Sequence, residues 1–231
     1  MKRCNFAFAR LAFILALAAI AFTPGAFAQL SGTKTIGGAS PDYATIKAAI
    51  QDLNAQGVTA PGLTLLVRGG TYNEDTLSFR TSTATAGSPI TLKPDVGATV
   101  TINVAAGFAA AIKIDSTKYV TIDGSNNGTS SRNMTINALG TGAQDGIWVS
   151  GQSYFTTIKN CIIRCNNLTS ARCIAFVYTS AVGGNPNNST ADNNVCRYAY
   201  RPIYAEGNSS TDLINDLTVK NNVVDSAAFA G

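Results

Sequence analysis

Histidine is missing from the 231-residue chain. Its absence excludes His-dependent triads, His general bases and His-ligated metal sites in one step. Charge is scarce as well: Asp, Glu, Lys and Arg make up 13% of the residues, and the formal net charge is +4. Three of the positive charges, Lys2, Arg3 and Arg10, belong to the first ten residues, so the rest of the chain carries about +1. A nearly neutral body lacks the basic surface that a nucleic-acid or anionic-membrane partner requires. The 13 carboxylates are scattered, with no Asp-x-Asp spacing of a calcium loop, so neither a metal nor a cofactor is expected. Long apolar runs are also missing. The one at Leu11 to Phe22 is too short to span a bilayer, and no second run follows it.

That short run has another use. A basic start, an apolar stretch and the small-x-small sequence Ala26-Phe27-Ala28 make a bacterial-type secretion signal over residues 1–28. The mature chain then begins at Gln29, leaves the membrane after cleavage, and is secreted or held at the cell surface. Four cysteines remain in it: Cys161, Cys165, Cys173 and Cys196. An exported compartment permits disulfides. Their irregular spacing fits no zinc cluster, and it leaves both one or two bridges and buried free thiols open. The Asn-x-Ser/Thr sequences at Asn127, Asn133, Asn167, Asn188 and Asn208 are read as by-products of Asn-rich turns.

One amphipathic helix is expected over residues 41–56. Ser40 would be its N-cap, Pro41 its first-turn residue, and Tyr43, Ile46, Ile50 and Leu53 its apolar stripe, with Gly57 as the stop. Everything after it reads as short strands separated by Gly, Asn, Ser and Thr turns. Those strands repeat. Ile112-Lys113-Ile114-Asp115 recurs as Ile147-Trp148-Val149-Ser150, Ile174-Ala175-Phe176-Val177 and Ile203-Tyr204-Ala205-Glu206, in steps of 35, 27 and 29 residues. A second strand keeps phase with it: Ile122-Asp123-Gly124, Ile158-Lys159-Asn160, Ala191-Asp192-Asn193 and Val219-Lys220-Asn221.

Two in-phase strands with a period near 30 describe one coil of a solenoid. The expected fold is all-β, a right-handed parallel β-helix over residues 63–231, with residues 29–62 as an N-terminal cap whose helix closes the open end. A β-sandwich is the structural alternative. Asn160, Asn193 and Asn221 fall at equivalent turn positions, with Asn194 and Asn222 beside them. Such asparagines can form ladders along the axis and accept left-handed turn geometry. The last repeat ends near Asp225, and the apolar tail after it offers no polar cap, so the sequence reads as the front of a longer solenoid.

The stretch Asp42-Tyr43-Ala44-Thr45-Ile46-Lys47-Ala48-Ala49-Ile50, followed by Gly69-Gly70-Thr71-Tyr72-Asn73-Glu74, resembles the opening of pectin methylesterases and related pectin-lyase-like β-helix proteins. The resemblance implies a capping helix, a strand and a turn, and then the β-helix. Gly142-Ala143-Gln144-Asp145 also resembles that family's Gly-x-Gln-Asp segment, which implies an oxyanion-stabilising role for Gln144 and an acid/base role for Asp145. The family's second carboxylate has no counterpart, since no Asp or Glu occurs between Asp145 and Asp192, and its Leu-Gly-Arg-Pro-Trp motif is missing. The plain alternative is a polar turn entering the Ile147 strand.

The repeat alignment also predicts outward neighbours. One column is Lys113, Trp148, Ala175 and Tyr204; beside it runs Asp115, Ser150, Val177 and Glu206. Trp148 and Tyr204, with Lys113 and Glu206 at the ends, are expected to bind a sugar chain, with the small Ala175 keeping the groove open. The column Asp123, Lys159, Asp192 and Lys220 alternates in sign and is read as structural. Three functions follow: a polysaccharide-binding β-helix, an esterase or lyase with its catalytic residues outside this chain, or an adhesin-like stalk.

Overall fold

The computed structural model describes residues 28–228, apart from 106, 141, 143 and 180–183. The basic and apolar parts of the expected secretion signal lie outside the described residues. The chain opens with β1 (Leu30–Ile36), α1 (Ile46–Gln56) and β2 (Val58–Val67). From β2 onward it winds into a parallel solenoid of about 6 turns. The first coil continues with β3 (Gly70–Glu74) and β4 (Leu77–Phe79). The second is β5 (Ile90–Pro94), β6 (Val100–Val104) and β7 (Ala110–Asp115); the third is β8 (Val120–Asp123), β9 (Met134–Ala138) and β10 (Asp145–Ser150). Then come β11 (Thr157–Lys159) with the long β12 (Cys161–Val177), β13 (Thr190–Asp192) with β14 (Val195–Glu206), and β15 (Thr218–Lys220) with β16 (Val223–Asp225). One sheet runs β1-β2-β5-β8-β11-β13-β15. The other strands make two further faces, which β12 and β14 span by bending from one into the next: β3, β6 and β9 continue into Cys161–Arg164, while β4, β7 and β10 continue into Ile174–Val177.

The strands form because apolar and polar residues alternate, which suits a pleat with one face inside. In β5, β6 and β9 every other side chain is buried. The register is the expected one. Ile147 pairs with Ile112 below it and Ile174 above it, and Ile174 pairs with Ile203. Ile158 pairs likewise with Ile122 and Ala191, and Ala191 with Val219. The inward residues therefore stack into one apolar column per face, each fully buried isoleucine contributing about 1.5–3 kcal/mol.

The turn asparagines behave as the sequence predicts. Asn160, Asn193 and Asn221 all have left-handed backbones, at φ 58°, 55° and 56°. Asn193 donates to Asn160 Oδ1 at 2.8 Å, and Asn160 donates to Asp123 Oδ1 at 2.7 Å, so an aspartate anchors the ladder. In the second column Asn194 donates to Asn222 Oδ1 at 3.0 Å. A further ladder, Asn137 to Asn103 to Asn73 at 2.8 and 3.0 Å, was not anticipated. Its sequence signal is the repeated Thr-x-Asn of β6 and β9.

The cap differs from expectation in its first turn. The helix starts at Ile46, and its N-cap is Thr45, whose hydroxyl accepts from the Ala48 N–H at 3.1 Å. Ser40 and Pro41 lie outside it because Asp42 is drawn to β1: its carboxylate accepts from the Thr35 N–H at 2.7 Å and the Thr35 hydroxyl at 2.9 Å. Tyr43 bridges to Ile36, so it is not part of the helical stripe, which is Ile46, Ala49, Ile50 and Leu53. Gly57 ends the helix as expected, donating to the Leu53 carbonyl at 2.7 Å with φ 76°. The cap also contains strand: β1 extends the first sheet, and β2 begins at Val58, while the coil-to-coil pairing of β2 with β5 starts at Leu63.

All four cysteines are buried free thiols, with Cys165 Sγ 3.7 Å from Cys173 Sγ. At the far end β15 and β16 are exposed at every position.

Candidate functional site

The outer face of β7, β10, β12 and β14 carries the residues singled out above. Strand register places Lys113 beside Trp148, Trp148 beside Ala175, and Ala175 beside Tyr204. It also places Asp115, Ser150, Val177 and Glu206 in one row. Trp148 lies between inward Ile147 and Val149, so the pleat turns its ring outward.

The rings are not bare platforms. Trp148 is half-buried, and the Lys113 ammonium sits 4.7 Å from its ring centroid. Its indole N–H is buried and has no hydrogen-bond partner in the structure. Lys113 is held by Asp115 at 3.3 Å, which also pairs with Arg80 at 3.1 Å. Two guanidinium groups lie against Tyr204, Arg201 at 4.8 Å and Arg172 at 5.1 Å, and its hydroxyl donates to Glu206 Oε2 at 2.9 Å. Burial is the main cause that raises the Tyr204 phenol above its ordinary pKa, and the Glu206 hydrogen bond adds to it. Ala175, expected to leave an open groove between the rings, is fully buried. The strip is thus an aromatic and cationic surface, and the two arginines were missed by sequence reasoning. The signal available for them was their spacing, since Arg172 and Arg201 both precede their Ile strand residue by two positions.

Gln144 and Asp145 are each 2% exposed. The Gln144 carboxamide closes its own loop, accepting from the Gly140 N–H at 2.6 Å and donating to the Ala105 carbonyl at 2.8 Å. Asp145 accepts from Arg172 three ways: the backbone N–H at 2.9 Å, Nε at 2.9 Å and Nη2 at 2.6 Å. Burial pushes the Asp145 carboxyl above the usual range, and the Arg172 bonds pull against it. Gly146 follows because only a glycine fits there: a Cβ would stand 2.3 Å from Ile163 Cγ2 and 2.6 Å from the Cys173 carbonyl. These contacts fit a turn that locks one coil to the next. Among the described residues no group of three Cys, Asp or Glu side chains could hold a metal ion.

The sign-alternating column forms as drawn. Lys159 pairs with Asp123 at 3.3 Å and Lys220 with Asp192 at 3.6 Å.

The class of protein is set by this register: a parallel β-helix with an N-terminal helical cap. Two solved structures are similar to it, both of the pectin methylesterase from Aspergillus niger. One, partly deglycosylated, is 15% identical over 88% of this chain and 70% of that one, with a TM-score of 0.49. The other, in its deglycosylated form, is 14% identical over 88% of this chain and 90% of that one, with a TM-score of 0.39. No protein-family model and no curated protein sequence matches the chain. No helix among the described residues is long and apolar enough to cross a membrane.

Proposed function

We propose that this is an exported β-helix protein that binds an extracellular polysaccharide along the outer face of β7, β10, β12 and β14. The observation that carries the reading is the shared column of Trp148 and Tyr204, two coils apart with cations against both rings. Two strand spacings are about 10 Å, enough for neighbouring sugars of one chain to meet the two rings. Lys113 and Arg201 suit a glycan that bears carboxylates, as pectin does. A carboxylate reaching Lys113 or Arg201 would draw that cation off the ring and leave a face for the sugar.

Catalysis is the weaker reading for the described residues. A double-displacement ester hydrolysis needs a nucleophile and an acid within reach of one carbonyl. Asp145 is buried and committed to Arg172, Gln144 is committed to its loop, and the sequence supplies no further carboxylate before Asp192. An esterase or lyase whose reacting groups lie beyond this chain, and an adhesin-like stalk, remain the alternatives.

The test is calorimetric titration of the protein with oligogalacturonate, for wild type, Trp148→Ala and Tyr204→Ala. Ring stacking of this kind is worth about 1–3 kcal/mol, so each variant is expected to bind roughly tenfold more weakly. Wild-type affinity in both variants overturns the site. The export half of the proposal is checked by N-terminal sequencing of secreted material, expected to begin at Gln29.

A further inference from the structure

The turn that leads into the first sheet carries a second aromatic feature, on a different edge of the coil from the Trp148 column. One residue per coil stands there in the left-handed region: Tyr119 at φ 53°, Phe155 at 57°, Asn188 at 55° and Asp216 at 56°. The backbone bonds show that these positions are equivalent. The Tyr119 N–H donates to the Tyr154 carbonyl at 3.0 Å, the Phe155 N–H to the Asn187 carbonyl at 3.1 Å, and the Asn188 N–H to the Asn215 carbonyl at 2.9 Å.

Asn and Asp are the side chains that tolerate this geometry; a bulky aromatic there is an outlier. The two later coils use the tolerant residues, and the two earlier ones use tyrosine and phenylalanine. Burial does not repay the strain, because Phe155 is 43% exposed. Its ring stacks on Tyr119 with centroids 4.7 Å apart and planes 12° from parallel, so the two rings form one pillar along the axis. The stack offsets part of the strain, yet Phe155 keeps 43% of its surface exposed, and strain held at an exposed position is a mark of function.

The chemistry around the pillar narrows the ligand. Asn188 follows Phe155 in the column and is exposed, and Asn187 beside it is half-buried. Tyr154 is adjacent, and the Lys118 ammonium lies 5.1 Å from the Tyr154 ring centroid. Next to the open ring are therefore the carboxamides of Asn187 and Asn188, which donate to and accept from hydroxyls, while the Lys118 cation lies against the Tyr154 ring. The arginines that mark the Trp148–Tyr204 strip have no counterpart in this column.

We propose that the Tyr119–Phe155 pillar is a second carbohydrate site that takes an uncharged pyranose ring, stacked on Phe155 and hydrogen-bonded through its hydroxyls to Asn188. It stands apart from the acidic-glycan strip and does not rest on it. The useful variant is Phe155→Asn, since the column itself places asparagine at this turn one coil later. The substitution relieves the left-handed strain and removes the ring.

The experiment titrates the full chain with a neutral β-glucan hexasaccharide and, separately, with oligogalacturonate, well below the melting temperature. Phe155→Asn is expected to bind the neutral hexasaccharide at least tenfold more weakly, to melt at or above the wild-type temperature, and to bind oligogalacturonate as wild type does. A Trp148→Ala/Tyr204→Ala double variant is expected to keep the neutral affinity. The proposal is overturned if wild type fails to bind the neutral hexasaccharide. It is overturned equally if Phe155→Asn binds it with wild-type affinity, which would leave the pillar as a staple between coils, or if the Trp148/Tyr204 variant abolishes that binding. Loss of oligogalacturonate binding in the Trp148/Tyr204 variant alone bears on the strip and not on the pillar.

Discussion

Asp145 illustrates how one residue can hold two meanings. In the sequence, Gln144-Asp145 has the look of an acid beside an oxyanion donor. In the structure the carboxylate lies at 2% exposure under a forked Arg172 contact, and the neighbouring Gly146 lets β12 pass close by. Removing one partner of a buried ion pair leaves the other without compensation. Because Arg172 reaches solvent in part, Asp145→Asn is expected to cost about 2 kcal/mol, below the 3–5 kcal/mol of a fully buried pair. A denaturant melt measures it. Methanol release from methylated pectin is expected to be absent in wild type and variant alike. Turnover in wild type that Asp145→Asn abolishes would restore the catalytic reading.

At the scale of elements, the turns do more than connect. Asn160, itself 5% exposed, combines a left-handed backbone, a donor to Asp123 and an acceptor for Asn193. Two substitutions separate these roles. Asn160→Gly keeps the backbone comfortable and loses the ladder, an expected cost of about 1–3 kcal/mol for the polar groups left unpaired. Asn160→Ala loses the ladder and adds the left-handed penalty, about 1–2 kcal/mol more. Equal stabilities for the two variants, by urea titration, would show that the turn geometry is not enforced. The helix makes a parallel point. Thr45 is a better cap than Ser40 only because Asp42 and Tyr43 are held by β1, and that long-range pull is invisible to a local reading of the cap.

Across the whole molecule, stability should vary along the axis, since each coil contacts only its neighbours. The middle coils bury Ile112, Ile147, Ile158 and Ile174 completely, while Val219, Val223 and Val224 in the last coil are nearly half exposed. Local opening follows buried contact. Amide hydrogen exchange is therefore expected to be slowest in β7, β10 and the Ile174–Val177 part of β12, and faster by orders of magnitude in β15 and β16. Uniform protection along the axis would mean that something other than neighbouring coils holds the end.

The solenoid was legible in the sequence because its register is a local matter repeated many times. Alternation fixes which side chains of each strand face inward, and a fixed period stacks them, so the alignment of Ile112, Ile147, Ile174 and Ile203 follows from the sequence alone. The left-handed asparagines followed for the same reason. What the sequence could not contain is the environment of an outward side chain. Trp148 and Tyr204 do point outward, yet whether an outward ring is bare depends on long flexible cations from other coils, and Lys113, Arg172 and Arg201 reach them across the strands. The fate of Asp145 and the stack of Tyr119 on Phe155 were decided in the same way, by packing between residues 27 and 36 positions apart. Periodicity determines the column; only the folded coils determine what lies over it.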